Sequence, residues 1–418
     1  MLDRITALPY CSPDPMNTVS ARLSQLPPYV LARIDDLKRE AIAQGRETFD
    51  FGLGNPDGKS PAAVVARIHR ELVADGFQRY MPSRGLPEVR AAICEWYRER
   101  YDVHLDADRE AVVTIGSKEG IAHLLLALVN PGDCVVVPDP AYPIHQKGVA
   151  IAGGQVVPYA VGAGRDHAAE IARAFSRAPR RPKGILVNFP HNPTTACADL
   201  SFYEAVVALA LRENAWIISD LAYADLCFDG RSAPSIFQVA RAREVAVEFF
   251  TVSKSYSMPG WRVGFCVGRP DLVGALSTIK GYLDYGIFCP VQRAAATALQ
   301  ECDADVAANR ALYRHRAQLL TDVLGAAGWP VTMPDATMFV WAPIPEKFRA
   351  AGALAFATEL LEKAGVAVAP GTGFGPGGEG FVRFSLIEPD ERVRQAGQRI
   401  QRLLAQVEEP TVSSAVAM

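Results

Sequence analysis

Val247-Glu248-Phe249-Phe250-Thr251-Val252-Ser253-Lys254-Ser255-Tyr256-Ser257-Met258-Pro259-Gly260-Trp261-Arg262 begins as an apolar run and ends on a glycine turn and an arginine. The run through Val252 reads as a buried strand, covered on both faces. It delivers Lys254 to the strand end among small hydroxyl residues, with Arg262 eight residues on. A primary amine condenses with aldehydes, and an aldehyde cofactor bearing a phosphate would need an arginine to hold it. A lysine after a strand is ordinarily solvated, because Lys is rarely buried. The other parts of such a site must therefore be sought elsewhere in the chain.

Upstream, short apolar runs bounded by turn residues recur at Ala111–Ile115, Cys134–Val137, Gly184–Phe189 and Trp216–Ser219, and again downstream at Val263–Val267. Helical patterns over Glu119–Val129 and Asp199–Glu213 alternate with them. Strands alternating with helices predict an α/β fold on a mostly parallel, doubly wound sheet. The chain has 418 residues, too many for one compact core, so two domains are expected. An N-terminal arm and helix over 1–50 contribute to the smaller one. A large domain spans 51–290, a small α+β domain 291–408, and a tail without periodicity covers 409–418. Within this plan Pro27-Pro28 opens a helix to about Gly45. Ser60-Pro61 starts another, with Ser60 as cap and Gly76 as stop. Leu86–Tyr101 is a third. Residues 271–325 form long helices, and small-domain strands lie near 338–342 and 381–386.

Composition narrows the function. An apolar share of 49% and a charged share of 21% are those of a globular protein. The net charge of −3 comes without the basic block that a nucleic-acid face needs. No run is long and apolar enough to span a membrane, and the N-terminus lacks a signal peptide's apolar core. Eight cysteines are scattered without a Cys-x-x-Cys pair, which fits reduced thiols in the cytoplasm and offers no metal cluster.

Four more strand ends carry polar groups. Thr114-Ile115-Gly116-Ser117-Lys118-Glu119-Gly120 turns from strand into helix, where free N–H groups suit a phosphate; as Ser-Lys rather than Lys-Ser it is no P-loop, and it is also an ordinary turn. Asp139-Pro140-Ala141-Tyr142-Pro143 presents an aromatic that either stacks on a planar ring or only packs at a rigid turn. Asn192, ahead of Pro193, is held extended and aims its amide at a partner or simply starts a turn. Asp220 ends a very apolar strand, with Tyr223 close by. A buried carboxylate needs a partner, either structural or a protonated ring nitrogen.

In this order and spacing the five strand ends resemble those of the fold type I pyridoxal-phosphate aminotransferases, over nearly the whole chain. Gly52-Leu53-Gly54-Asn55-Pro56-Asp57, Asp220-Leu221-Ala222-Tyr223-Ala224-Asp225 and Gly371-Thr372-Gly373-Phe374-Gly375 are similar to the bacterial glutamate–pyruvate (alanine) branch. The resemblance implies pyridoxal 5'-phosphate as cofactor and Lys254 as Schiff base and proton shuttle. It implies Asp220 on the pyridinium nitrogen, Tyr223 and Asn192 on the ring hydroxyl, and Tyr142 on the ring face. Ser117, Lys118 (through its backbone), Ser253 and Arg262 would hold the phosphate. Arg383 would clamp the substrate α-carboxylate beneath the loop of Gly54, and Asn192 would share that contact. Tyr80 would reach the phosphate of a neighbouring subunit, which implies a homodimer with shared sites. The implied reaction moves an amino group between alanine, or a similar amino acid, and 2-oxoglutarate. Aspartate, methionine, aromatic and diaminopimelate transamination, or β-elimination of sulfur amino acids, use the same pocket. A transcription regulator on this fold would need an appended basic DNA-binding domain, and the N-terminal stretch shows no such pattern. His191, beside Asn192, either contacts substrate or packs on the turn.

Overall fold

The computed structural model describes residues 20, 24, 26, 30–74 and 76–406. Of the N-terminal segment expected over 1–50, residues 1–25 lie outside the described residues apart from 20 and 24, as does the tail 409–418. Strand β1 (Phe49–Phe51) belongs to a small sheet described below. The large sheet comprises β2 (Ala111–Thr114), β3 (Cys134–Asp139), β4 (Gln155–Ala160), β5 (Gly184–Asn188), β6 (Trp216–Asp220), β7 (Ala246–Thr251) and β8 (Gly264–Gly268). Their order is β2-β8-β7-β6-β5-β3-β4. All neighbours are parallel except β8, which runs antiparallel to β2 and β7.

Side chains alternate between two cores, as the period of a strand requires. Val135, Val137, Leu186, Ile218, Val247 and Phe249 face one way and meet Ile121, Leu124, Leu125 and Leu276 from helices Gly116–Leu128 and Pro270–Leu283. Cys134, Val136, Ile185, Val187, Ile217 and Phe250 face the other way, onto Ile93 and Trp96 of Pro87–Tyr101 and Phe202 and Val206 of Leu200–Glu213. Both faces are covered, which is why β5, β6 and β7 read as unbroken apolar runs. The expected doubly wound sheet is present.

The small sheet has the order β1-β10-β11-β9, with β9 Phe339–Pro343, β10 Val366–Pro370 and β11 Phe381–Ser385. Helix Asp390–Gln406 and the long helix Asp303–Ala326 pack together beside it, around a core that includes Phe51, Leu320, Val340, Phe356 and Phe384. Helix Cys289–Glu301 packs instead on Ala62–Leu72 and Pro87–Tyr101, beside the large sheet. The expected border between 290 and 291 falls inside its first turn.

Several local expectations are corrected. Ser60 does not cap the helix after it: that helix is Ala62–Leu72 with Pro61 at its N-cap, and Ser60 Oγ instead accepts a hydrogen bond from Trp261 Nε1 at 2.8 Å. The helix also ends at Leu72, ahead of Gly76. The helix expected from Glu119 starts at Gly116, and β8 is shifted by one residue to Gly264–Gly268. Strands β1, β4 and β10 went unread. β1 is only three residues long, and β4 carries Pro158, which a strand tolerates at the sheet edge where β4 lies.

Candidate active site

The carboxyl ends of the parallel strands open into one cleft of about 420 Å³, closed on its other side by the small sheet. Gly54, Ser117, Lys118, Tyr142, Asn192, Asp220, Tyr223, Ser253, Lys254, Arg262 and Arg383 all line it. Ligands of open α/β sheets bind at this edge because every strand ends there and every following helix starts there.

Lys254 lies in a one-turn helix, Val252–Ser255, capped by the Thr251 side chain, which accepts from Ser253 N at 3.3 Å. Its Nζ donates to Gly54 O at 2.7 Å. Burial, together with the guanidinium groups of Arg383 and Arg262, lowers the Lys254 pKa to about 7. The amine is thus available in neutral form near neutral pH, as attack on an aldehyde or abstraction of a proton requires.

Asp220 ends β6 almost wholly buried. Its Oδ2 is 2.9 Å from His145 Nε2, while Oδ1 is buried and has no hydrogen-bond partner in the protein. An unsatisfied carboxylate oxygen carries a desolvation cost of about 1–3 kcal/mol or more unless a ligand meets it. His145, two residues into helix Pro143–Ile151, is a functional residue that sequence reading passed over. A buried acid at a strand end demands a partner, and His145 sits one helical turn beyond Tyr142, but no local pattern ties the two together. Asn188, also passed over, ends β5 and ties the strand ends together, with Nδ2 donating to Asp220 O at 2.7 Å and Oδ1 accepting from Asn192 N at 3.1 Å.

An anion cradle lies at the opposite end. Helix Gly116–Leu128 points its N-terminus into the cleft, and Ile115 N is met by Glu119 Oε2 at 2.7 Å. Arg262, at φ 58°, wraps over that end and donates to Ile115 O at 3.0 Å and Pro259 O at 3.2 Å. Two glycines permit the approach. A Cβ on Gly116 would lie 2.6 Å from Arg262 Nη2, and one on Gly264 would lie 2.8 Å from Ser117 N. Ser253 Oγ pairs with Thr251 Oγ1 at 2.8 Å on the same wall.

The small sheet supplies Arg383, buried on β11. Nη1 donates to Asn192 Oδ1 at 2.7 Å and Nη2 to Gly52 O at 3.2 Å. Its guanidinium carbon lies 4.0 Å from the Phe339 ring centroid and 4.5 Å from that of Phe374, close enough for a cation–π contact with each. A Cβ on Gly54 would meet Phe339 at 2.6 Å, which leaves glycine as the residue that fits. Asn192 Nδ2 reaches Tyr223 OH at 3.3 Å, linking the arginine to the ring-binding side. Burial raises the Tyr223 phenol well above its usual range, so it stays protonated.

Two residues stand apart. Tyr80 is 90% exposed, away from this cleft, with its ring 5.6 Å from Tyr285. His191 is fully buried behind the wall, its Nδ1 2.8 Å from Thr194 Oγ1, and burial keeps it neutral. It packs on the turn and is absent from the cleft lining.

The residues fit pyridoxal phosphate. A neutral amine meets the aldehyde, a buried carboxylate oxygen without partner suits a ring N–H, and a helix N-terminus with an arginine suits the phosphate. The fold and this site thus define a pyridoxal-phosphate enzyme acting on amino acids. The chain belongs to the family of class I and II aminotransferases, whose model matches residues 46–400. It is 50% identical over 378 residues to the glutamate-pyruvate aminotransferase AlaC of Escherichia coli, covering 90% of this chain and 91% of that one. To the LL-diaminopimelate aminotransferase of Desulforudis audaxviator it is 42% identical over 386 residues, covering 92% and 98%. The solved structure of a probable N-succinyldiaminopimelate aminotransferase from Thermus thermophilus superposes with a TM-score of 0.82 at 34% identity, covering 89% of this chain and 99% of that one.

Proposed function

We propose that this aminotransferase moves the amino group between alanine, or a similar small amino acid, and 2-oxoglutarate, giving pyruvate and glutamate in two successive half-reactions. The observation that carries this reading is the 50% identity, over nine-tenths of the chain, to an enzyme named for that substrate pair. Bound pyridoxal phosphate supplies an aldehyde and a ring that takes up an electron pair. The protein's own groups do the rest. Arg383, braced by Asn192, binds the donor's α-carboxylate through its planar fork and orients the α-carbon towards Lys254. Lys254 Nζ, neutral above about pH 7, takes the α-proton and returns it on the other side of the exchange. Asp220 Oδ1, buried and without a protein partner, would accept from the ring N–H of the bound cofactor, and His145 holds that carboxylate through Oδ2. Tyr142 would cover one ring face, Tyr223 and Asn192 would meet the ring hydroxyl, and Ser117, Lys118 (by its backbone), Ser253 and Arg262 would hold the phosphate. Gly54 keeps the loop low over the carboxylate.

Incubation with L-alanine and 2-oxoglutarate tests the assignment: stoichiometric pyruvate and glutamate are expected. A second reading rests on the diaminopimelate relative, so LL-diaminopimelate is offered as competing donor, and a higher kcat/KM for it would transfer the assignment. Release of ammonia and pyruvate from L-cystathionine, whose β-carbon carries a thiolate leaving group, would point instead to β-elimination.

The enzyme works as a homodimer in this reading. Tyr80, Tyr282, Leu283, Tyr285 and Phe288 are all exposed and come from two touching segments; Gly286 lies so close to Pro82 O that a Cβ would sit 2.3 Å away. An exposed aromatic cluster of this kind is suited to pairing, and Tyr80 would then reach the neighbour's phosphate site. Free thiols at all seven described cysteines agree with a cytoplasmic setting. No helix among the described residues is long and apolar enough to cross a membrane.

A further inference from the structure

The loop after β1, Gly52-Leu53-Gly54, touches both ends of the chemistry through its carbonyls. Gly52 O accepts from Arg383 Nη2 at 3.2 Å and from Ser385 Oγ at 3.5 Å, and Gly54 O accepts from Lys254 Nζ at 2.7 Å. Two glycines in three residues give this loop little stiffness of its own, because glycine has the most backbone freedom to lose. Its shape is imposed from outside the cleft. Asp50, the middle residue of β1, accepts from Gly52 N through Oδ1 at 2.9 Å and from Lys38 Nζ through Oδ2 at 2.7 Å. Lys38 belongs to helix Val30–Ala43, and Asp35, one turn earlier, meets the same Nζ at 2.8 Å. The main chain of Asp50 is fixed separately: its N donates to Glu388 Oε1 at 2.6 Å, and Glu388 Oε2 accepts from Arg392 Nε at 2.6 Å. Neither Asp50 nor Lys38 lines the cleft.

We propose that Asp50, anchored by Lys38, is a positioning residue for the substrate α-carboxylate, holding the Gly52 carbonyl where Arg383 meets it. The role rests on the proposed reading of Arg383 as the clamp for that carboxylate. Asn192 Oδ1 fixes Nη1 of the fork from the large sheet, and Gly52 O fixes Nη2 from the loop. Each Nη carries two N–H groups, so an acceptor on one does not exclude a carboxylate on the other. A fork held at both Nη atoms is set in one orientation before substrate arrives. With Gly52 loose, the fork must be ordered as the carboxylate binds. That cost falls on binding and not on proton transfer at Lys254, so it raises KM more than it lowers kcat. Every amino acid and oxo acid substrate carries the same carboxylate, so all are affected alike.

Two carbonyl reagents separate the carboxylate from the rest of the site. Both capture the cofactor's aldehyde in the holoenzyme, followed by absorbance, but aminooxyacetate carries a carboxylate and hydroxylamine does not. In Asp50→Ala the rate constant for aminooxyacetate is expected to fall about tenfold while that for hydroxylamine stays within about twofold. KM for L-alanine, pyruvate, L-glutamate and 2-oxoglutarate should rise by a similar factor, with kcat changed less. Asp50→Asn keeps an acceptor for Gly52 N but not the charge facing Lys38, and should lose about threefold towards aminooxyacetate alone. Lys38→Met should match it, and the double variant should be no worse than either single one, because the two side chains act as a unit. These two variants decide the question if Asp50→Ala does not fold. Arg383→Lys tests the clamp itself: unchanged capture by aminooxyacetate in that variant would overturn the reading of Arg383. If Arg383→Lys slows aminooxyacetate but none of the Asp50 and Lys38 variants does, or if those variants slow both reagents equally, the positioning role is overturned and the clamp stands.

Discussion

The proton on Lys254 is held weakly because burial strips its water away and two guanidinium groups face it, with the carbonyl of Gly54 as its hydrogen-bond acceptor. In the apoenzyme, the rate of condensation with pyridoxal phosphate, followed by absorbance, should rise about tenfold per pH unit up to about pH 7 and flatten above it. A lysine at its ordinary pKa would keep climbing to about 10. Stability follows the same shift. Between about pH 7 and the ordinary lysine pKa of 10.5 the unfolded chain holds a proton that the folded chain has lost. Lys254 therefore makes the apoenzyme more stable as pH rises through that window and exerts its full cost below it. Lys254→Ala should abolish both the Schiff-base absorbance and turnover. Asp220→Asn should keep a partner for His145 but remove the charge facing the ring nitrogen, lowering kcat by at least about a hundredfold. Normal kcat in that variant would remove Asp220 from the chemistry.

Strand β7 delivers Lys254 at its end and carries a second polar device in its middle. Glu248 is fully buried, and its carboxylate accepts from Tyr97 OH at 3.0 Å, Ser219 Oγ at 3.0 Å, Ser235 Oγ at 2.6 Å and Ile236 N at 3.1 Å. Four donors from three segments meet one acid, so the group locks β7 to β6, to helix Pro87–Tyr101 and to the turn at Ser235. Burial raises its pKa despite those bonds. Glu248→Ala strands these donors and should cost about 3 kcal/mol or more, read from the urea midpoint. Glu248→Gln keeps one acceptor, the hydroxyls can turn to meet its amide, and the loss should be smaller. Under the phosphate cradle, Lys280 Nζ is wholly buried between Glu119 at 3.0 Å and Asp284 at 3.1 Å, with His123 also against Glu119. Lys280→Met leaves two carboxylates without their cation and should destabilise by about 3–5 kcal/mol. Because Glu119 also caps Ile115, a weaker phosphate grip should accompany that loss, measured as faster release of pyridoxal phosphate.

Across the molecule, the cleft is formed where two sheets meet. The large sheet brings the amine, the acid and the anion cradle to one edge, and the small sheet brings Arg383 over them. Arg316, on the long helix beside the small sheet, ties down the loop after β1, binding Asp57 through both Nη atoms at 2.8 and 2.9 Å and Leu386 O at 2.9 Å. The exposed aromatic cluster belongs to the same scale. Tyr285→Glu with Phe288→Glu should shift the species in sedimentation from dimer to monomer and lower activity at dilute enzyme. A wild-type chain that sediments as a monomer would refute the dimer and with it the role of Tyr80.

Much of this was legible in the sequence because it is local. A parallel sheet covered on both faces forces apolar runs, and the first polar residues after each run fall at the common ligand edge. Lys254, Asp220, Tyr142, Asn192 and the Gly116-Ser117 turn could be found that way. Ser60 and His145 could not be assigned from local pattern: Ser60 looks like a cap until Trp261, 201 residues away, claims its hydroxyl, and His145 meets Asp220 across 75 residues. Arg383 and Asn192, 191 residues apart, were singled out separately, but only the packing of the small sheet on the large one brings them to 2.7 Å. Strand-end chemistry is written in neighbouring residues. Partner choice among buried polar groups is settled by which distant segments the two cores draw together, and a periodic pattern carries no record of that.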